Sequence, residues 1–345
     1  MTEQDSLREL VSDLIDSQTD SGDDAALYAR FEVSGLLSVG IDEELDGSGG
    51  TLADLVAIAE GVGFHGASVP IVAVPIARWI VAESGNANAL TGCVTATLTD
   101  MTEGELLTQS IEVANVAWGR HARHVILCPR EGRPVVVSRG EDGVDSIEGS
   151  DLAGHADDTV TVEASATRLI LERAPEPDAI RARFGLLRTA CLAGAIRGAY
   201  DLTREYVRTR EQFGAPLVKL PAVASGIATV RTKVLEADAA LSTAMLGWTS
   251  TSAPSDVLPI FAGRVVAARC ASDTARLAHQ LHGAIGTTEE YRLHRLTTAL
   301  CAWRDADLPE ADWARTLGEM VVRIGEPSTW EALGPQAISA GAAKE

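Results

Sequence analysis

The sequence predicts a mostly α-helical protein with a small β domain in its middle. Of its 345 residues, 46% are hydrophobic but only 4% are aromatic, and Ala, Leu and Val supply most of the apolar content. That composition favours helices. From about Leu90 to Leu171, however, short β-branched runs replace the helical spacing, which is typical of strands. We therefore predict an N-terminal helical domain (1–89), a middle β domain (90–172), a C-terminal four-helix bundle (173–325) and a flexible tail (326–345).

The charge balance limits the partners of this chain. It has 49 acidic and 29 basic residues, a formal net charge of −20, and such a field repels nucleic acid and anionic membranes. The most apolar stretch, Ser68 to Ala82, is too short to cross a bilayer and contains two prolines. The first ten residues are acidic and amphipathic, unlike a signal peptide. We expect a cytoplasmic protein that binds neither nucleic acid nor membrane.

The cysteines predict neither a disulfide framework nor a metal site. There are five of them, far apart in the sequence and in no CxxC pair. An odd number with such spacing is typical of buried, reduced thiols, so we expect no zinc.

In the N-terminal domain, apolar residues at helical spacing predict a first helix around Leu7 to Ile15. After the loop Gly47–Gly50, Thr51 is a plausible cap for another helix. The glycines of Gly61–Gly66 are expected to break that helix as turns. No strand precedes them, so they do not fit a phosphate-binding fingerprint.

The β domain is predicted from five β-branched runs separated by Gly-, Asp- and Glu-rich turns. The runs begin at Cys93, Ile111, His124, Pro134 and Asp158.

The bundle is predicted from long helical segments with short links. The first, Phe184 to Glu211, carries Ala190, Gly194 and Gly198 at intervals of four. That face lacks bulk, so a neighbouring element can approach it closely. The following helices are predicted from Pro221, at about 255–282, at about 289–303 and at 309–324.

Two polar, Gly-containing helix exits are the candidate functional motifs, Tyr206–Leu217 and Gln280–Arg295. Arg210 lies in the last turn before Gly214, where a cation is favoured by the helix dipole. It can therefore act as a simple C-terminal cap. Equally, an arginine fork and exposed glycine amides can form an anion site. The residues alone leave the two interpretations open.

The order of domains and these two motifs resemble the acyl-CoA dehydrogenase family. Residues 206–217 resemble its Y-x-x-x-R-x-Q-F-G-x-P-L signature, and residues 280–295 resemble its Q-x-x-G-G-x-G-x-x-x-E-Y-x-x-x-R segment. In that family, the motifs contact the diphosphate and adenosine of FAD bound to a neighbouring subunit. The resemblance therefore implies FAD as cofactor, with contacts from Arg210, Gln212, Phe213, Gln280, His282, Gly283 and Ala284, the last replacing the usual second glycine.

The family's reaction needs a carboxylate that removes the α-proton of an acyl-CoA thioester. Its glutamate occupies one of two positions, which by resemblance correspond here to Asp307 and to Phe184. Asp307 is one methylene shorter, and Asp305 is a nearby alternative. Asp307 also precedes Pro309 and a helix start, so a loop or capping role is the competing interpretation and the one we favour.

The middle domain departs from the family pattern. The segment Thr97–Gly104 matches the usual flavin loop poorly, while Val113–Gly119 resembles a family segment that would place Trp118 near the flavin. The short chain resembles the partner subunit of heteromeric actinobacterial steroid acyl-CoA dehydrogenases.

The resemblance leaves three functional hypotheses. The first is an obligate, base-lacking subunit of an α2β2 enzyme, with a second acyl-CoA dehydrogenase chain as partner and an electron-transferring flavoprotein as acceptor. The others are a self-sufficient homo-oligomer with Asp307 as base and a non-catalytic scaffold. The substrate would be a steroid side-chain or fatty acyl-CoA, and the small residues at 190–198 could leave room for a bulky one.

Overall fold

The computed structural model describes residues 2–17, 24–86, 89–212, 214–248 and 253–334. Helices form both ends of this described part, and small β-sheets lie between them. The predicted fold class is therefore confirmed. Phe213 and residues 335–345 of the predicted tail lie outside the described residues.

Four helices form the N-terminal part: α1 (Glu3–Asp16), α2 (Asp24–Val33), α3 (Leu52–His65) and α4 (Ala73–Ser84). Reciprocal capping boxes start α1 at Thr2 and α3 at Thr51. The prediction that Gly61–Gly66 breaks the helix was wrong. Helix α3 continues through Gly61 and Gly63 and ends at Gly66, whose φ of 61° is the left-handed cap that glycine favours.

The middle region contains two sheets, and all five predicted runs form strands. One sheet has the order β1-β3-β4-β7 and the other β2-β6-β5. In the second sheet Ala117 pairs with Asp157, which brings the residues around Trp118 next to the start of β6. Two short strands, β5 and β7, and helix α5 were not predicted. The strands are β1 (Val94–Leu98), β2 (Ile111–Ala117), β3 (His124–Cys128), β4 (Val135–Ser138), β5 (Val144–Ile147), β6 (Asp157–Val162) and β7 (Leu169–Ile170), with α5 at Glu103–Thr108.

The C-terminal part is built around one long helix. That helix begins seven residues earlier than predicted, because Pro177 at its first turn starts it. Residues 326–333, predicted as part of the flexible tail, form a helix instead. The helices are α6 (Pro177–Thr209), α7 (Pro221–Leu246), α8 (Leu258–His282), α9 (Leu293–Asp305), α10 (Glu310–Ile324) and α11 (Glu326–Leu333).

Helices α3 and α6 pack backbone against backbone. A Cβ atom added at Gly194 would lie 2.1 Å from the carbonyl oxygen of Glu60, and one added at Gly198 would lie 2.2 Å from that of Phe64. The predicted close approach is therefore confirmed. At Gly194 and Gly198 helix α3 occupies the space in front of this face, whereas Cys191 and Gly198 line cavities, so the expectation that residues 190–198 leave room for a substrate stays a prediction.

No helix in the described ranges combines the length and apolar character that crossing a membrane requires.

Candidate functional site

The first motif lies at the exit of α6, where Arg210 is the C-cap residue. Its backbone amide donates to the carbonyl of Tyr206 over 2.9 Å, and its own carbonyl accepts from the amide of Leu217 over 2.8 Å. The side chain is exposed and, within the described part of the chain, has no ion-pair or hydrogen-bond partner. Arg210 therefore caps the helix through its backbone only, and its guanidinium is left for an anion.

The second motif lies at the exit of α8. The chain leaves the helix at Gly283, with φ 64° and ψ −144°, and continues as a 3-10 turn to Thr287. A Cβ atom at Gly283 would meet no atom within 4 Å, and Gln280 and Ala284 are also exposed. The backbone here is open to an outside group. We call the exposed residues of the two motifs the motif surface: Arg210, Gln212, Gln280, Gly283 and Ala284.

His282 differs from the rest of the second motif because it is buried. Its ring stacks on Tyr206 at 4.5 Å between centroids and lies 5.1 Å from the ring of Tyr291. Its Nδ1 donates to the carbonyl oxygen of Ala278 over 2.8 Å, and burial lowers the pKa of the imidazole. His282 therefore joins the two helix exits as a neutral ring, and its contact with a cofactor stays a prediction.

A dinucleotide fits the motif surface. FAD carries an anionic diphosphate, for which an unpaired, exposed guanidinium is a suitable partner. Exposed backbone at a glycine lets such a group approach closely. The observations that support the fit are the unpaired side chain of Arg210 and the empty space beside Gly283.

The second candidate region is a cavity of about 390 Å³, which we call the inner cavity. Its walls come from the segment 68–73 between α3 and α4, from the second sheet, and from α6 and α9 with the loop that follows. Three of the lining residues are relevant to the predicted catalytic site: Trp118 and Asp307, which were predicted to belong to it, and Arg188, which pairs with Asp307.

Asp307 is held by an arginine rather than by a helix terminus. Its carboxylate accepts two hydrogen bonds from Arg188, over 2.8 and 3.0 Å, and the two side chains are only 8% and 9% exposed. Burial alone would lower the pKa of the Arg188 guanidinium, but the adjacent Asp307 carboxylate outweighs burial and raises it. Both Asp307 oxygens are thus occupied by a permanent cation.

Asp307 lies in the loop between α9 and α10, as predicted, but the alternative that it caps α10 was wrong, and Asp305 has that role. Oδ1 of Asp305 accepts from the backbone amide of Glu310, at the start of α10, over 3.3 Å. Its other oxygen is paired with Arg304 at 2.8 Å. Arg264, which is fully buried, donates to the carbonyls of Trp303 and Arg304 and so fixes the end of α9.

Trp118 lies between two other rings. It stacks on Tyr28 at 5.1 Å, lies 4.3 Å from His121, and is 3% exposed. Its backbone has the unusual φ of 63°, and its buried Nε1 lacks a hydrogen-bond partner among the described residues. A contact between Trp118 and a flavin stays a prediction.

Three polar residues of the inner cavity were not found from the sequence: Arg188, His155 and Asp157. His155 lies 3.2 Å from Asp151 and stacks on Trp303. Burial, reinforced by the nearby Asp151 carboxylate, raises the pKa of Asp157 to about 6. The Asp-rich stretch around position 157 was a signal, but a single sequence does not show which of its carboxylates faces a cavity.

The fold and the two motifs define an acyl-CoA dehydrogenase fold. Residues 178–303 match the family model of the acyl-CoA dehydrogenase C-terminal domain, and the resemblance predicted from the sequence is confirmed.

Among curated proteins, the chain is 23% identical over 283 residues to acyl-CoA dehydrogenase IpdE2 of Mycobacterium tuberculosis (strain ATCC 25618 / H37Rv), a match that covers 80% of each chain. Among solved structures, a variant of the Tcur3481-Tcur3483 steroid ACAD aligns with a TM-score of 0.80 at 20% identity, over 93% of this chain and 98% of that one. The ChsE4-ChsE5 complex of Mycobacterium tuberculosis aligns with a TM-score of 0.76 at 20% identity and the same coverage.

Proposed function

We propose that this chain is a base-lacking subunit of an FAD-dependent acyl-CoA dehydrogenase. It supplies the motif surface to a cofactor site that it shares with a second, different chain of the same family. The observation that carries the proposal is the buried pair of Arg188 and Asp307.

Removal of an α-proton requires a carboxylate that is free to accept it. When bound, FAD supplies the acceptor for the β-hydride, and the protein has to supply the base and the geometry. Asp307 cannot be that base without leaving Arg188 buried and unpaired, an arrangement that costs about 3–5 kcal/mol. At the other family position stands Phe184, which is buried and has no proton-accepting group.

The separation of the two regions supports a shared site. Arg188 and Arg210 lie on the same helix, and a rise of 1.5 Å per residue puts them about 33 Å apart. The motif surface therefore lies far along α6 from the inner cavity of its own chain. A cofactor bound to the motif surface extends into a different subunit.

The partner that fits is an acyl-CoA dehydrogenase chain with a glutamate at one of the two family positions. The relatives described as a steroid ACAD and as the two-protein complex ChsE4-ChsE5 support a heteromer and a steroid side-chain acyl-CoA, with a fatty acyl-CoA as the alternative. The resemblance also implies an electron-transferring flavoprotein as the acceptor of the electrons.

A second candidate function is a dehydrogenase that is complete by itself. The observation that favours it is Asp157, a carboxylate in the wall of the inner cavity that has no hydrogen-bond partner among the described residues. In that case Asp157, rather than Asp307, would accept the proton.

Purification with and without the partner distinguishes these functions. We expect the isolated chain to be colourless after dialysis, and the chain co-expressed with the partner to show flavin absorption and a higher mass in light scattering. An isolated chain that retains FAD and oxidises an acyl-CoA supports the complete enzyme. If the Asp157→Asn variant abolishes that activity, Asp157 is the base.

A further inference from the structure

Two polar side chains in the wall of the inner cavity, His155 and Asp157, can accept hydrogen bonds from a ligand. The inner cavity adjoins a larger one of about 720 Å³, which we call the outer cavity, and Ser68 and His155 line both. His155 is therefore one of the residues that the walls of the two cavities share.

His155 is held in one orientation. Its Nδ1 lies 3.2 Å from the carboxylate of Asp151, and that carboxylate also accepts from the backbone amides of Ala153 and His155 over 2.8 and 3.0 Å. The ring is stacked on Trp303 with 5.7 Å between centroids. In the neutral tautomer whose Nδ1–H donates to Asp151, Nε2 carries the lone pair and is the nitrogen that remains for a ligand.

Asp157 is the second free acceptor. Its backbone is fixed by the pairing of β6 with Ala117, and its carboxyl group lines the inner cavity without a hydrogen-bond partner in the described part of the chain. The charged groups that act on it are Asp151, Asp158, Asp307 and Arg188, and burial raises its pKa to about 6. At pH 8 it is therefore ionised and accepts hydrogen bonds.

The remaining charges are already paired. Arg188 and Asp307 neutralise each other, and Asp305 is bound to Arg304. The part of the wall formed by residues 69–73 is apolar. An anionic ligand is disfavoured, because the carboxylates of the wall outnumber its guanidinium. A purely apolar ligand would bury the acceptors of His155 and Asp157 unsatisfied.

We propose that the inner cavity binds a neutral, mostly apolar molecule whose hydroxyl group donates a hydrogen bond to His155 or Asp157. The apolar body packs on residues 69–73, and the hydroxyl group faces the second sheet. This site needs no flavin, so it stands or falls independently of the proposed shared cofactor site.

Two probes with the same carbon skeleton test the proposal on the full chain. 2-Decalol offers a hydroxyl donor, and 2-decalone has only an acceptor. Titration calorimetry at pH 8, without flavin, should show that the alcohol binds about tenfold more tightly than the ketone, the effect of one hydrogen bond in a buried site. Equal affinities, or no binding of either probe, would overturn the proposal.

Single-residue variants test which side chain accepts the hydrogen bond from the hydroxyl group. The His155→Phe variant keeps the aromatic stack on Trp303 but removes Nε2, and Asp157→Leu removes the carboxylate. At least one of them should reduce the preference for the alcohol to less than about twofold. Asp145→Leu, at an exposed position of the neighbouring strand β5, is the matched control and should keep the preference. If both cavity variants also keep it, the alcohol binds elsewhere and the assignment is wrong.

Discussion

Helix α6 carries two arginines with opposite environments. Arg188 is buried, and a carboxylate accepts two hydrogen bonds from it. Arg210 is exposed and has no partner among the described residues. Under the proposed function, Arg188 occupies the carboxylate at the proton-acceptor position, and Arg210 leaves the dinucleotide-binding position open. The proposal is thus a chain that presents a cofactor-binding surface and has an internal ion pair at the family's catalytic position.

The largest effect is expected from breaking the buried pair. Asp307→Asn keeps a side chain that tolerates the positive φ of 66° but leaves Arg188 without a counter-ion, so we expect a loss of about 3–5 kcal/mol in the free energy of unfolding. Urea denaturation measures it.

A double variant and a surface control make that test specific. Arg188→Met combined with Asp307→Asn removes both charges and should recover most of the loss. Arg315→Ala breaks an exposed pair with Glu319 and should cost less than about 1 kcal/mol. A single Asp307→Asn variant as stable as the wild type would show that the pair is not a structural element.

A substitution of the exposed Arg210 should lower the affinity for the cofactor rather than the stability of the chain. We expect Arg210→Ala to weaken FAD binding by the complex by about 1.5–3 kcal/mol, because a hydrogen bond to a charged group is lost. Its unfolding midpoint should barely change. The flavin content after dialysis measures the loss.

Arg208→Ala is the matched control, because Arg208 is an exposed arginine on the same last turn that does not belong to the motif surface and occupies a variable position of the family signature. If both variants lose the same amount of flavin, the effect is one of general surface charge.

The glycine contacts between α3 and α6 fix the part of α6 that carries Arg188. Gly194→Ala would put a Cβ atom 2.1 Å from the carbonyl oxygen of Glu60, so we expect it to destabilise the chain by about 1–3 kcal/mol or more. Gly318→Ala, in α10 with no atom within 4 Å of the new Cβ, should stabilise it by up to about 1 kcal/mol. Thermal unfolding of the two variants compares them, and equal melting temperatures would refute the close packing.

The smallest expected effect is a pH dependence from Asp157. Burial raises its pKa to about 6 in the folded chain, so the folded state binds a proton more tightly than the unfolded state does. Its contribution to stability is therefore full below about pH 4 and is lost as the pH rises through 6. A shift of about two pKa units corresponds to about 3 kcal/mol, which the partial exposure of Asp157 to solvent reduces to on the order of 1 kcal/mol. Asp157→Asn should remove this part of the pH profile of urea unfolding, whereas Asp145→Asn should not. A profile that Asp157→Asn leaves unchanged would mean that this carboxyl titrates normally.

The sequence was sufficient for the fold and for the motif surface, because both depend on local patterns. Strand runs, cap residues and helix exits are encoded within a few residues of each other, and Arg210 and Gly283 are where those patterns put them. The start of α6 was missed although Pro177 and Asp178 are suitable first-turn residues.

The inner cavity could not be predicted in the same way. The pair of Arg188 and Asp307 joins positions 119 residues apart, and no local pattern in one sequence shows such a partner. The cap at Asp305 was assigned to Asp307 because both precede the same helix. Asp157 becomes unusual only in the folded chain, where burial and the nearby Asp151 carboxylate raise its pKa.

Anaerobic mixing with an acyl-CoA substrate tests the central claim most directly. The isolated chain, supplied with FAD, is compared with the chain co-purified with a partner that carries the family glutamate, and bleaching of the flavin absorption is followed in a stopped-flow instrument. The account predicts rapid bleaching only in the presence of the partner, and loss of bleaching when the partner's glutamate is replaced by glutamine. Rapid bleaching by the isolated chain, abolished by a substitution of its own Asp307 or Asp157, would show that this chain is a complete enzyme.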